Sequence, residues 1–379
     1  MRRLRVAHVA ESAGWAGGEV YLWELARALD RKRFELAVIA PEAGPLLARL
    51  EAIGVPVTVV SLGGPLLSPS PLRDLTRRLR ALRPDIVQSH GARTNFYARL
   101  ACWLAGVPHH VSTIHNSLWD YPVGAPRRAA YLAADRLTAR LSSVIVCVAQ
   151  SLAADLVERS RVPARRVVVI PNGVDLVRFD PAVADGARVR REFALGDGSV
   201  VGIIGRMTPQ KSHADFLRAF ALARRRAPGA RALVVGEGPL RSAVEAEARA
   251  LGLASACGFA GVRDDIPDCL AAMSVVALSS VSEGLPFVVL EALAMARPLV
   301  ATAVNGVTEV VEHGVNGLLV PPRQPAALAD ALGALLGDPV RASALGTAGR
   351  KTVEARFSLA TMIARVSDLY ERLAAGGGA

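Results

Sequence analysis

Residues 275–291 read VVALSSVSEGLPFVVLE, and this stretch holds the signals that decide the fold. The apolar run 275–278 predicts a buried β-strand, and residues 279–283 predict the loop at its carboxyl end. Pro286 suits the first position of a helix, where its missing N–H costs nothing. A strand followed closely by a helix is the repeating unit of parallel α/β sheets. The stretch therefore predicts a parallel α/β domain with a polar loop at the edge of the sheet where ligands bind.

Two glutamates flank the start of that helix, eight positions apart. Glu283 precedes the helix, and Glu291 lies further along it, where a carboxylate can accept two hydrogen bonds from a ribose diol. The amides of Phe287 and Val288 are helix-start donors that suit an anion such as a diphosphate. Taken alone, each glutamate is better explained as an acidic residue favoured near a helix start or as an ordinary helical glutamate. The combination within one strand–loop–helix unit is more specific.

A second strand-to-helix junction lies at residues 202–211, GIIGRMTPQK. We predict that a strand ends at Gly205 and that a helix begins near Ser212, so that Arg206 and Lys211 flank the junction. Fixed cations stabilise the negative charge that builds up on the β-phosphate of a departing nucleoside diphosphate. Taken alone, such a pair is better explained as a solvated arginine and lysine on a loop. Lys211 is one of only three lysines among 45 basic residues, which favours a need for a compact ammonium here.

These segments resemble the E-x7-E element and the paired cations of the retaining, nucleotide-sugar-dependent glycosyltransferases of family 4. The resemblance covers nearly the whole chain and implies the glycosyltransferase B architecture, an α/β fold with two Rossmann-like domains that face each other across a cleft. The resemblance implies an acceptor-binding domain over residues 1–185 and a nucleotide-sugar-binding domain over residues 186–356. It also implies that a C-terminal helix, residues 357–375, packs back on the first domain.

The resemblance implies a reaction and roles for single residues. A sugar moves from a nucleoside diphosphate to an acceptor hydroxyl, the acceptor attacks from the leaving-group face, and the departing phosphate accepts its proton. The residues expected to carry this chemistry are His115, Glu283, Arg206 and Lys211. The residues expected to bind the donor are Gly17, Gly18, Arg206, Lys211, Glu283, Gly284, Leu285, Pro286, Phe287 and Glu291.

In the first domain, residues 12–19 form a glycine-rich turn that follows the first strand. Such a turn lets backbone amides approach a phosphate, although a simple tight turn explains it equally well. The family usually shows Gly-Gly, one residue, then Glu, whereas here Glu19 follows Gly18 directly. The stretch does not read G-x-G-x-x-G, which disfavours an NAD-dependent dehydrogenase. His115 ends a later strand at the position where the family has a histidine close to the donor sugar.

Acceptor-site candidates follow the strand that precedes His115. We expect His90, Arg93 and Asn95 to bind the acceptor, since they lie at and just beyond the end of that strand. The resemblance leaves the acceptor open between a glycan, a lipid-linked glycan and a small molecule. It also leaves the base and the sugar of the donor open.

Composition narrows the class of protein. The chain has 379 residues, 51% hydrophobic and 21% charged, which suits a globular protein of two domains. No apolar run is long enough for a spanning helix, and the start of the chain is better explained as a first β-strand than as a signal peptide. The four cysteines show no metal-like spacing, and no acidic triad suits Mg²⁺, so we expect no metal and no cofactor besides the donor substrate. We expect reduced thiols and a cytoplasmic location.

The formal net charge is +11, of which +8 lies in residues 1–185. Within that excess, residues 71–83 predict a basic amphipathic helix, with leucines on one stripe and arginines on another. Such a helix is more often a solvated protein surface. It can also lie against anionic lipid at the inner face of a membrane, and a lipid-linked acceptor would favour that interpretation. No nucleic-acid partner is expected.

Two other functions remain open on the sequence. A nucleotide-sugar epimerase of the same architecture would need no acceptor. A non-catalytic protein that binds nucleotide sugars would transfer nothing, although such a protein need not keep both glutamates, both cations and the histidine together.

Overall fold

The computed structural model describes residues 2–64, 68–120 and 123–376, which form two compact units. Unit 1 comprises the chain up to Asn172 together with the residues from Ala360 onward, and unit 2 comprises Gly173–Leu359. Residues 173–185, assigned from the sequence to the first domain, therefore belong to unit 2. Two separate parallel sheets confirm the predicted fold class.

Unit 1 contains a parallel sheet whose strands follow the order β3-β2-β1-β4-β5-β6-β7. These strands are β1 Leu4–Val9, β2 Phe34–Ala40, β3 Val57–Val59, β4 Ile86–His90, β5 His109–Ile114, β6 Val144–Cys147 and β7 Val167–Val169. Its first helices are α1 Gly17–Ala28, α2 Pro45–Ala52, α3 Pro69–Leu82, α4 Ala92–Ala105, α5 Ala125–Thr138 and α6 Gln150–Ala154, the last continued by a π-helical turn at Asp155–Arg159. Three short 3-10 turns are Leu118–Asp120, Ala139–Leu141 and Ala164–Arg166. The strand order reverses between β1 and β4, and open parallel sheets generally bind ligands beyond the carboxyl ends of the strands that flank such a reversal.

Unit 2 repeats this design with six parallel strands in the order β10-β9-β8-β11-β12-β13. The strands are β8 Val200–Ile204, β9 Arg231–Val235, β10 Cys257–Gly261, β11 Val275–Leu278, β12 Leu299–Thr302 and β13 Leu318–Val320. The helices are α7 Gly186–Glu192, α8 His213–Arg224, α9 Arg241–Ala250, α10 Ile266–Ala272, α11 Phe287–Ala294, α12 Val307–Val310, α13 Pro325–Gly337 and α14 Pro339–Arg356, and a 3-10 turn spans Pro209–Lys211. The order reverses between β8 and β11, so the two junctions singled out in the sequence end neighbouring strands.

The final helix, α15 Leu359–Ala374, packs against unit 1. Its apolar stripe is buried and consists of Met362, Val366, Leu369, Tyr370 and Leu373. The Tyr370 hydroxyl donates a hydrogen bond to Gln88 Oε1 on β4, and the Tyr370 ring meets Phe34 edge to face with centroids 5.7 Å apart. An aromatic ring with a satisfied hydroxyl anchors a helix end through both apolar burial and a hydrogen bond.

The predicted basic helix at residues 71–83 is α3, and it ends at Leu82 because Arg83 adopts a left-handed conformation with φ of 47°. Leu75 and Leu79 are buried in the core of unit 1, and Leu72 and Leu82 pack against that core. The leucine stripe of α3 therefore packs in the core of unit 1 and is not available to insert into a membrane. Only the arginine face of α3 is left for any contact with a membrane, and such a contact would be electrostatic.

Candidate functional site

The switch point of unit 2 brings a lysine and a glutamate together across 72 residues of sequence. Lys211 Nζ lies 2.5 Å from Glu283 Oε1, and the Ser280 hydroxyl donates to the same oxygen at 2.5 Å. Glu283 is only 4% exposed. A buried carboxylate is stable only when it is paired and hydrogen-bonded, and these two neighbours meet that need. Both residues were expected at the donor site from the sequence, and Ser280 was not.

Further hydrogen bonds tie the two loops to each other. The Gln210 side chain donates to the Ser282 carbonyl at 2.7 Å, and the Ser279 hydroxyl donates to the Lys211 carbonyl at 2.9 Å. The backbone that carries Lys211 is therefore bonded directly to the loop that carries Glu283. These hydrogen bonds fix the position of the Lys211 ammonium group in the absence of a ligand.

Arg206 differs from Lys211 in having no tie to the surrounding protein. Its side chain is exposed and makes no hydrogen bond or ion pair with the residues that the structure describes. It directly follows Gly205, the first residue after β8. An exposed guanidinium beside a buried ion pair gives this edge of the sheet a positive charge that an anion can neutralise.

A third loop, residues 236–238 after β9, supports the Arg206 turn and was missed in the sequence. Met207 N donates to the Glu237 carbonyl at 2.8 Å, which fixes the two loops edge to edge. A side chain on Gly236 would place its Cβ 2.2 Å from the Gly205 carbonyl oxygen, and Gly236 has φ of 127°. Only glycine suits both the conformation and the close approach. A glycine-rich turn directly after an apolar strand is the signal that could have identified this loop.

Helix α11 begins at Phe287, and Pro286 precedes it with φ of −73° and ψ of 130°. The prediction that Pro286 is the first helical residue is therefore wrong by one position. The extended ψ turns the chain into the helix, and Gly284 and Leu285 lie in the turn before it. Glu291 lies in the second turn and is partly exposed, whereas Leu285 and Phe287 are buried.

In unit 1, the turn before α1 is held by its own acidic residue. Glu19 accepts hydrogen bonds from the Ser12 hydroxyl at 2.6 Å and from the Ala16 amide at 3.1 Å. Glu19 therefore already satisfies the amide of Ala16, one of the donors in the glycine-rich turn. Gly18 faces His115, because a Cβ at Gly18 would lie 3.9 Å from His115 Cδ2, while a Cβ at Gly17 would meet nothing within 4 Å.

His115 lies just beyond β5, partly exposed, with its Nε2 3.2 Å from His90 Nδ1. Burial lowers the pKa of His115 to about 4, so the ring is neutral at physiological pH. The ring of Tyr21 on α1 covers it edge to face, with centroids 4.9 Å apart.

The three expected acceptor residues do not form one surface. Asn95 is fully buried and bonds to the Ser89 hydroxyl and the Thr113 carbonyl. His90 is also buried, at 2% exposure, whereas Arg93 donates to the Gly64 carbonyl at 2.6 Å. The polar groups of Asn95 and His90 form hydrogen bonds inside unit 1, and a role in acceptor binding for these residues stays a prediction.

No helix among the described residues is long and apolar enough to cross a membrane. Within the same residues, no group of three or more metal-ligating side chains comes together. The expectation that the protein uses no metal stays a prediction.

Comparisons with known proteins identify the family and the fold. Residues 15–178 match the family described as Glycosyltransferase Family 4, and residues 198–338 match the family described as Glycosyl transferases group 1. The chain is 30% identical to a D-inositol 3-phosphate glycosyltransferase of Salinispora tropica, over 94% of this chain and 81% of the relative. It is 26% identical to a UDP-Gal:alpha-D-GlcNAc-diphosphoundecaprenol alpha-1,3-galactosyltransferase of Escherichia coli, over 97% of both chains. The crystal structure of Anabaena HepE in complex with UDP and glucose superposes with a TM-score of 0.86 at 23% identity, covering 97% of this chain and all of that one.

The family matches, the curated relatives and the fold thus define a glycosyltransferase with two Rossmann-like domains, of the kind that uses nucleotide-sugar donors. The chain belongs to glycosyltransferase family 4.

Proposed function

We propose that this glycosyltransferase acts with retention and moves a sugar from a nucleoside diphosphate onto a hydroxyl of a glycan or lipid-linked acceptor. The observation that carries the proposal is the Lys211–Glu283 contact at the switch point of unit 2, with the unpaired guanidinium of Arg206 at the end of β8. This arrangement offers two cations to a diphosphate and a carboxylate to the sugar attached to it.

In this proposal, the diphosphate of the donor offers Lys211 a second anionic partner. Arg206 and Lys211 then stabilise the charge that grows on the β-phosphate as the glycosidic bond breaks. Glu283, still bonded to the Ser280 hydroxyl, orients a hydroxyl of the donor sugar. Glu291 accepts hydrogen bonds from the ribose. His115 is also proposed to contact the donor sugar.

The bonds and protons of this transfer balance without a nucleophile from the enzyme. The acceptor oxygen forms a bond to the anomeric carbon on the face from which the diphosphate leaves, the bond from that carbon to the phosphate oxygen breaks, and the departing phosphate takes the acceptor proton. Both glutamates have other duties in this scheme, and the new bond keeps the configuration of the old one.

The acceptor is proposed to be a hydroxyl on a lipid-linked glycan. The E. coli relative is named for a diphosphoundecaprenol acceptor, and the chain matches that protein over nearly its full length. Arg73 and Arg77 on α3 are each more than 70% exposed, and they would attract an anionic bilayer that carries such an acceptor. A neighbouring carboxylate, Asp74, lies 3.3 Å from Arg77 and weakens the attraction. A cytoplasmic location, at the inner face of the membrane, is part of this proposal.

The test begins with the donor. Thermal shifts with UDP, GDP and ADP would identify the base, and matched sugar donors would then be incubated with candidate acceptors and analysed by mass spectrometry. NMR couplings at the anomeric carbon of the product should show that the new bond has the same anomeric configuration as the donor. A product with the inverted configuration would refute the mechanism. Donor incubated without acceptor is the control, since an isomerised donor would mean epimerase chemistry, which no comparison favours.

The membrane contact is tested separately by flotation with neutral and anionic vesicles. We expect binding to anionic vesicles only, and weaker binding for the Arg73→Glu/Arg77→Glu variant. Equal binding to both vesicle types, or binding to neither, would contradict the membrane part of the proposal and leave the transfer reaction untouched.

A further inference from the structure

Three histidines of unit 1 form a diagonal row across neighbouring strands. His8 on β1 lies opposite Gln88 on β4, two residues before His90, and His90 lies opposite Thr113 on β5, two residues before His115. Side chains two residues apart on a strand share one face of the sheet. The three rings therefore lie on one face, and each is nearer the carboxyl edge than the one before. We call His8, His90 and His115 the histidine ladder.

The rings of the histidine ladder meet through their nitrogens. His8 Nδ1 lies 3.2 Å from His90 Nε2, and His90 Nδ1 lies 3.2 Å from His115 Nε2. The successive ring planes are inclined by only 17° and 23°, with centroids 5.5 and 5.4 Å apart. These distances and angles suit an N–H on one ring that donates to a bare nitrogen on the next.

Burial keeps the histidine ladder neutral. It lowers the pKa of His8 to about 3 and that of His115 to about 4, and burial together with its two histidine neighbours holds the pKa of His90 well below its usual range. Each neutral imidazole carries one N–H and one bare nitrogen. A neutral chain of three rings with two contacts can therefore have only two arrangements, with all hydrogens directed outward toward His115 or all directed inward toward His8.

The inner end of the histidine ladder decides between these arrangements. His8 Nε2 is buried and has no hydrogen-bond partner among the described residues. The inward arrangement would place a hydrogen on that nitrogen and leave a buried N–H unpaired, whereas the outward arrangement leaves only a bare lone pair. Unpaired buried N–H groups are rarer in folded proteins than under-used acceptors. The outward arrangement is therefore the stable one.

We propose that His8 and His90 are positioning residues that hold His115 in the tautomer with its hydrogen on Nδ1, so that His115 presents an N–H donor and not a proton acceptor. His115 Nδ1 makes no hydrogen bond with the part of the chain that the structure describes. The ligand that receives this hydrogen bond, a hydroxyl of the donor sugar, rests on the proposed function. The tautomer itself does not.

The tautomer also limits what His115 can do in the reaction. A neutral ring whose Nε2 accepts from His90 and whose Nδ1 carries a hydrogen has no free lone pair to act as a base. Protonating His115 at Nε2 would require both other rings to reverse and would leave the unpaired N–H on His8. The histidine ladder therefore assigns proton removal from the acceptor to another group, in agreement with the departing phosphate.

The experiment is ¹⁵N NMR of the full chain labelled at histidine, recorded without ligand near neutral pH. The chain has seven histidines, and a His115→Asn variant assigns the His115 signals. Long-range ¹H–¹⁵N correlations distinguish an Nδ1–H ring, an Nε2–H ring and an imidazolium. We expect His115 as the Nδ1–H tautomer. An Nε2–H tautomer or an imidazolium at His115 would overturn the proposal. The tautomer is measured on the unmodified chain, and the variant serves only to assign the His115 signals.

Three variants separate positioning from folding. His90→Phe removes the donor to His115 and should convert His115 to a mixture of tautomers, whereas His90→Gln supplies an amide N–H and should keep Nδ1–H. His110→Phe, at a buried histidine outside the histidine ladder, is the matched control and should leave the His115 signals unchanged. An unaltered His115 tautomer in His90→Phe would refute the positioning role.

Activity gives a second readout once a donor is known. Transfer should fall about tenfold in His90→Phe, the equivalent of one hydrogen bond, and return toward the wild-type rate in His90→Gln, while the affinity for nucleoside diphosphate stays the same. If the wild-type chain transfers no sugar, the proposed function fails, and the NMR result still decides the tautomer.

Discussion

Replacing Lys211 with methionine should destabilise unit 2 strongly, although the change keeps most of the side-chain volume. The ammonium lies 2.5 Å from a Glu283 carboxylate whose side chain is only 5% exposed, and the lysine side chain is 20% exposed. Removing one partner of a buried ion pair costs about 3–5 kcal/mol, whereas exposed pairs contribute about 0–1 kcal/mol. Glu283 keeps its bond from the Ser280 hydroxyl, so the expected cost lies between these limits, at about 2–4 kcal/mol.

The cost should come from the charge left behind on Glu283. Adding Glu283→Gln to Lys211→Met removes that charge and should recover most of the lost stability, with a coupling energy of about 1–3 kcal/mol in the double-mutant cycle. Glu283→Gln alone should cost less than Lys211→Met, because a lysine ammonium that is partly exposed can still reach water.

Thermal unfolding at low and high salt measures these changes. For a unit of this size, a loss of 3 kcal/mol corresponds to a lower melting temperature by about 6–12 °C. Lys351→Met, at an exposed lysine on α14, is the matched control and should shift stability by less than about 0.5 kcal/mol. Equal melting temperatures for the two methionine variants, or additive effects in the cycle, would show that the Lys211–Glu283 contact is solvated and would refute the reasoning.

Three further outcomes are expected. Glu291→Gln should raise the dissociation constant for the preferred nucleoside diphosphate by about 10–100-fold in calorimetry, because a charged hydrogen bond is lost. Lys211→Ala should destabilise unit 2 as Lys211→Met does and, among the molecules that stay folded, should slow transfer more than it weakens nucleotide binding; unchanged affinity and turnover would remove both assignments. Gly236→Ala should destabilise unit 2 by about 2–5 kcal/mol in urea, because its φ and its approach to a carbonyl exclude a Cβ, whereas Gly229→Ala, where a Cβ would meet nothing within 4 Å, should be neutral. Acidification from pH 7 to pH 5 should destabilise unit 1, because its buried histidines have folded-state pKa values below the unfolded value of about 6.5 and the unfolded chain then binds more protons. Each such histidine lowers the free energy of unfolding by up to about 1.4 kcal/mol per pH unit. An unfolding midpoint that stays constant or rises as the pH falls would contradict the neutral state of these histidines.

The positions of the strands were predictable from the sequence because each strand is a short apolar run bounded by turn residues. Val275–Leu278 is buried on both faces, as the predicted run required, and it forms the strand beside β8. The start of α11 was misplaced by one residue because proline fixes φ near −70° both inside and just before a helix. Only ψ distinguishes the two places, and ψ depends on how the following helix packs.

Side-chain direction was less predictable. Asn95 and His90 follow or end a strand, as ligand-binding residues often do, yet they point into unit 1 and bond there. Arg93, two residues before Asn95, is partly exposed. The sequence identifies the edge of the sheet where polar residues gather, but the direction of each side chain depends on strand register and on the helix that covers the strand.

The sequence by itself determined which segments are strands and helices and which loops carry charge, because those properties follow from local periodicity and from glycine and proline. Only the tertiary structure decided which charged and polar groups meet. Lys211 reaches Glu283 across 72 residues because β8 lies beside β11, and His8 reaches His90 across 82 residues because β1 lies beside β4. Strand order is set by the packing of all the helices on both faces of a sheet, and no local pattern in the chain encodes it.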